Sequence, residues 1–79
     1  MNTKQFKAYM IKNNDIQKTI AEALGLPQSA VNARINGKTQ FRQDEINTIR
    51  KRWKLTEKET VDIFFTSEVS EKDTIEKGA

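Results

Sequence analysis

The chain has 79 residues, with 14 Lys+Arg against 11 Asp+Glu, a formal charge of +3, and neither cysteine nor histidine. A chain of this length builds one small domain. Without Cys or His it has no disulfide framework, none of the common zinc sites and no histidine base for a catalytic triad or dyad. No nucleophile–base pair, phosphate loop or metal-ligand set is present, so the expectation is a non-enzyme with no metal and no cofactor. No apolar run approaches the roughly 20 residues that span a bilayer, and no charged segment leads into an apolar one as in a secretory signal.

Charge is unevenly placed. Residues 1–65 hold 12 basic and 7 acidic side chains, whereas residues 66–79 hold 2 basic and 4 acidic ones. A basic body with an acidic tail suggests a polyanion as partner of the body. A mixed, solvated surface is the plainer account of the same charges.

The apolar pattern has helical period nearly throughout, which predicts an all-α fold of five short helices. Phe6 and Met10, with Tyr9 beside them, mark a first helix over Thr3–Asn13. Asn13-Asn14-Asp15 breaks it, and Asp15 is placed to cap a second helix, Ile16–Leu24, whose stripe is Ile16, Ile20 and Leu24. Gly25 follows where a helix end takes positive φ, and Pro27 suits the first turn of a third helix, Gln28–Asn36, with Val31 and Ile35 inward. Asn36-Gly37 ends it, and Lys38–Arg42 forms a loop anchored by Phe41. Gln43–Trp53 makes a fourth helix with Ile46, Ile49 and Trp53 inward. Thr56-Glu57-Lys58-Glu59 is a capping box opening a fifth helix, with Val61, Phe64 and Phe65 as its apolar face and Ile63 at the edge. The domain is expected to span residues 1–65, leaving 66–79 as an acidic tail. Disorder is the default for that tail, the alternative being a strand over Ile63–Val69 that pairs with a second copy.

The second and third helices, separated by a short glycine-containing turn, form a helix-turn-helix pattern. Two crossing helices need a small residue between them, and Ala21 is there. The sharp turn needs positive φ, and Gly25 supplies it. Val31 docks one face of the third helix, while Ile20, Leu24, Leu26 and Ile35 complete the small core around it.

On these residues the chain resembles the XRE-like family of phage Cro and repressor proteins. Gln17, Ala21, Gly25 and Val31 fall on that family's Gln, Ala, Gly and aliphatic positions. The run Gly25-Leu-Pro-Gln-Ser-Ala-Val-Asn-Ala-Arg-Ile-Asn-Gly37 is similar to a lambda-repressor-like turn and recognition helix. The stretch Asn36–Ile46, with Asp62-Ile-Phe-Phe65, resembles small Cro-like proteins from phages of Gram-positive bacteria. The likeness covers residues 3–65. It implies a lambda-repressor-like bundle and a sequence-specific repressor acting on operator DNA in the cytoplasm of a bacterial host. Arg34 departs from the pattern, since the family has an aliphatic residue there. Its stem can lie along apolar surface while its guanidinium meets a phosphate or a carboxylate such as Glu22.

At 100° per residue the third helix leaves Gln28, Ser29 and Ala33 on its outer arc, with Asn32 at the border. Gln28 and Asn32 have the chemistry to pair with adenine, Ser29 with several bases, and Ala33 with a thymine methyl. The resemblance implies base reading by Gln28 and Ser29, and a buttressing of Gln28 by Gln17, which also touches phosphate. Lys18, Asn36, Lys38, Thr39 and Gln40 are the expected backbone contacts, which position rather than specify. Arg50-Lys-Arg-Trp-Lys54 is a basic run whose better account is cations at a helix C-terminus, with Trp53 as packing. Phe64 and Phe65 are adjacent and cannot both face one core. One of them is a candidate surface for a homodimer, or a cover for the tail or first helix. Double-stranded operator DNA is the expected partner, with no membrane and no small molecule. The competing account is a protein-interaction module that binds a partner repressor or a toxin.

Overall fold

The computed structural model describes residues 1–65, and the expectations for the 66–79 tail lie outside them. Among the described residues the chain is all-helical, in the order α1 (Thr3–Lys12), α2 (Gln17–Leu24), α3 (Gln28–Ile35), α4 (Gln43–Trp53) and α5 (Glu57–Phe64). Ile63 and Phe64 are helical, so the alternative of a strand beginning at Ile63 does not hold.

The helix ends follow local chemistry. Asn2 caps α1 by accepting from the Gln5 N–H, and the Thr56–Glu59 capping box opens α5 as expected. Four helices end alike. After α1, α2, α3 and α4 one residue turns left-handed: Asn14, Gly25, Gly37 and Lys54. The next residue donates back across the turn, Asp15 to Met10 O, Leu26 to Ala21 O, Lys38 to Ala33 O and Leu55 to Arg50 O, all at 2.8–2.9 Å. These are Schellman closures, which satisfy carbonyls the helix leaves bare. Lys54 alone sits there without the short polar side chain or missing Cβ that eases φ of +53°. Lys54→Gly is therefore expected to raise the thermal midpoint, by a gain of about 0.5–1 kcal/mol after the extra backbone entropy of glycine is subtracted. A circular-dichroism melt checks it.

The core is one cluster. Phe6, Ile20, Val31, Ile35, Ile49 and Ile63 are the largest fully buried side chains, with Ala21, Ile46, Trp53, Leu55 and Phe64 around them. Phe6 is its aromatic hub, with ring centroids 5.1 Å from Trp53, 5.3 Å from Phe41 and 5.8 Å from Phe64. Phe41 thus anchors the loop before α4, as the pattern predicted. The Asn2 N–H donates to Ile63 O at 2.7 Å and Tyr9 Oη to Glu59 at 3.1 Å, which ties α1 to α5. Among the described residues no helix is long and apolar enough to cross a membrane.

Three expectations need correction. Asp15 does not cap α2: it is buried, and its carboxylate turns away to bind Arg52, Trp53 and Thr19. Ile16 is 59% exposed and precedes the helix, so the α2 stripe begins at Ile20. On α5 the inward face is Thr60, Ile63 and Phe64, while Val61 and Phe65 are 45% and 60% exposed. Smaller shifts are that Asn13 lies just past α1, Pro27 just before α3, and Asn36 just past α3.

Candidate nucleic-acid interface

The α2–turn–α3 unit is built as its residue types demand. Ala21, in the middle of α2, is buried, and α2 packs against α3 more extensively than any other pair of helices does. Gly25 takes φ +70° and lets the chain reverse within Gly25–Pro27. A Cβ there would meet no atom within 4 Å, so the glycine answers to backbone conformation and not to space. Val31 and Ile35 are buried on the inner face of α3, with Leu24 and Leu26 half-buried against the same core.

Three further ties fix α3 in the molecule. Thr3 Oγ1 donates to Ile35 O at 2.9 Å from the start of α1. Arg34 Nε and Nη2 donate to the two carboxylate oxygens of Glu45 at 2.8 and 3.2 Å, which ties α3 to the first turn of α4. Both side chains are largely buried, 15% and 7% exposed. Glu45 also accepts the Arg42 N–H, so one carboxylate closes the α4 N-terminus and holds α3. The partner of Arg34 is therefore Glu45 rather than Glu22, and its guanidinium is already engaged rather than extended toward a phosphate. Glu45 is a residue of this site that the sequence did not single out. Its position three residues after Arg42, at a helix start, was readable as a capping site, but its pairing with Arg34 is a tertiary fact.

The outer arc of α3 is open. Gln28, Ser29 and Asn32 are exposed, and Ala33 is half-buried. Gln28 and Ser29 have no side-chain bond to the other described residues. Gln17 does not buttress Gln28 as expected. Its Nε2 donates to Asn32 Oδ1 at 3.3 Å, and Asn36 Nδ2 donates to the same oxygen at 2.8 Å. Three amide side chains thus form a small surface network from α2 across α3 to its end.

The expected backbone contacts surround this arc. Lys18 and Gln28 line one shallow hollow together with Glu22, Gly25 and Leu26. At the other end Thr39 and Gln40 line a groove with Gly37, Phe41, Phe64 and Phe65. Lys18, Asn36, Lys38, Thr39 and Gln40 are all exposed, and Lys18 and Lys38 are in no ion pair among the described residues. The basic run behaves largely as packing and charge at the α4 C-terminus: Trp53 is in the core and Arg52 is bound to Asp15, while Arg50, Lys51 and Lys54 face solvent. Comparison with protein-family models, with curated proteins and with solved structures finds no match to this chain.

Proposed function

We propose that the protein is a sequence-specific DNA-binding transcriptional regulator, a Cro-like repressor that places α3 in the major groove of its operator. One observation supports this above the rest. α3 is anchored on its inner face by Val31, Ile35 and the Arg34–Glu45 pair, and carries uncommitted polar side chains on its outer face. A B-form major groove, about 12 Å wide, admits such a helix and displays a distinct donor and acceptor pattern for each base pair. Lys18 and Lys38, with Asn36, Thr39 and Gln40, grip the sugar-phosphate strands on either side and set the register. The excess positive charge of residues 1–65 supplies affinity that does not depend on sequence. Phe65, exposed at the rim of the groove that Thr39 and Gln40 line, offers an apolar edge through which two copies pair on a two-fold operator.

Selection from a randomised duplex pool, followed by fluorescence anisotropy, tests the reading. Gln28→Ala is expected to weaken binding to the selected duplex by about 1–3 kcal/mol and to relax preference at one base pair, with the salt slope unchanged. A pool without an enriched sequence, together with unchanged binding by Gln28→Ala, rejects base reading. Sedimentation with and without the duplex reports whether two copies bind.

A further inference from the structure

We propose that Asn32 reads guanine, and that Gln17 and Asn36 restrict it to that base by occupying its carbonyl. The inference rests on the DNA-binding reading above and deepens it. An asparagine ordinarily pairs with adenine, because its amide offers one donor and one acceptor side by side to N7 and N6–H. In this protein the acceptor is spent. Asn32 Oδ1 takes one bond from Gln17 Nε2 and another from Asn36 Nδ2, which accounts for both of its lone pairs. Asn32 is exposed, and its Nδ2 donates to no other described residue, which leaves two unspent hydrogens. Asn32 lies one helical turn after Gln28, on the same exposed side of α3.

A group that only donates favours a base edge that only accepts. Guanine presents O6 and N7 as adjacent acceptors in the major groove. Thymine presents the single acceptor O4. Adenine offers the single acceptor N7 and sets its N6 hydrogens against those of Asn32, and cytosine offers only the N4 hydrogens. The expected discrimination for guanine is about 5- to 150-fold over the other bases at that pair, the range of a good base contact. Gln17 and Asn36 thereby become specificity-determining residues that need not touch the base themselves.

Asn32→Asp is the decisive variant. Its carboxylate keeps one oxygen for Gln17 and Asn36 but turns the outward group from donor to acceptor. Duplex selection with the full chain is expected to give guanine at one base pair for the unaltered protein, cytosine at the same pair for Asn32→Asp, and no preference there for Asn32→Ala. Adenine, thymine or cytosine selected by the unaltered protein overturns the proposal, as does a preference that neither variant moves. A pool with no enriched sequence overturns the DNA reading and this proposal with it. Enrichment with the wrong base at that pair overturns the proposal alone. The network is checked without DNA by nuclear magnetic resonance: Asn32→Ala is expected to shift the side-chain NH2 signals of Gln17 and Asn36. Unshifted signals overturn the network and leave the DNA reading standing.

Discussion

Phe6→Ala is expected to cost about 4 kcal/mol of unfolding free energy, the largest loss of any single truncation considered. Phe6 is fully buried, and its ring touches those of Phe41, Trp53 and Phe64. Those partners come from the loop before α4, from α4 and from α5, so the cavity opens where three segments meet and no single element can move to fill it. Each aromatic pair adds about 0.5–1.5 kcal/mol beyond burial, and all three are lost together. A domain of this size has a total stability of order 5 kcal/mol, so the variant is expected to keep only about 1 kcal/mol and to melt far below the parent. Urea melts followed by far-ultraviolet circular dichroism measure it. Phe65→Ala is the control: its ring is 60% exposed, and the expected change is within about 0.5 kcal/mol. A loss below about 1 kcal/mol for Phe6→Ala refutes its place as the hub.

Asp15→Ala comes next, with an expected loss of about 3 kcal/mol. The buried carboxylate accepts two bonds from Arg52, at 2.9 and 2.8 Å, one from Trp53 Nε1 at 2.6 Å and one from Thr19 Oγ1 at 2.8 Å. Truncation strands the buried indole N–H of Trp53 and removes the carboxylate that holds the half-exposed Arg52 guanidinium. The Arg52 guanidinium, with the Trp53 and Thr19 donors, outweighs the cost of burial and holds the Asp15 carboxyl down from the ordinary 3.8 to about 2. The folded state thus binds this proton more weakly than the unfolded chain does. The resulting stability, about 2 kcal/mol, is fully present above pH 4 and disappears as pH falls from about 4 to about 2. Acid titration of stability is expected to show this slope, and Asp15→Asn to flatten it. Flattening is partial, because the carboxyl of Glu59 is also held low, by the Thr56 N–H and by the Tyr9 hydroxyl. A variant whose acid slope matches that of the parent rules out this role for Asp15.

Part of the candidate site was legible in the sequence, and part was not. Helical phase put Gln28 and Ser29 on the outer arc, while their base reading was implied only by the family resemblance. The structure leaves both exposed and without a side-chain bond to the other described residues. Phase is a local property, so it survives folding. The engagement of Asn32 by Gln17 and Asn36 was not legible, because Gln17 stands on another helix and its reach depends on how α2 and α3 cross. Arg34 was recognised as out of pattern, yet its partner Glu45 is eleven positions away and on α4. A charge on an otherwise apolar arc announces that it needs a partner without saying which.

Helix positions and ends belong to the chain itself. The bounds of α4, the Thr56 capping box and the left-handed turn at Gly25 all rest on neighbouring residues, and all stand as read. The choice of inner face on α5 does not. Val61-Phe64-Phe65 and Thr60-Ile63-Phe64 have the same three-then-one spacing, and they differ only by a rotation of one residue. Periodicity weighs the two equally, and the greater apolarity of the first favoured the wrong one. The packed bundle settled it: the Asn2 N–H bonds to Ile63 O, and Phe64 meets the rings of Phe6 and Phe41. These contacts turn Ile63 inward and leave Phe65 outside. Local hydrogen bonding and backbone preference determine where a helix lies in the chain, whereas the rotation of that helix about its axis answers only to the surfaces against which it is buried.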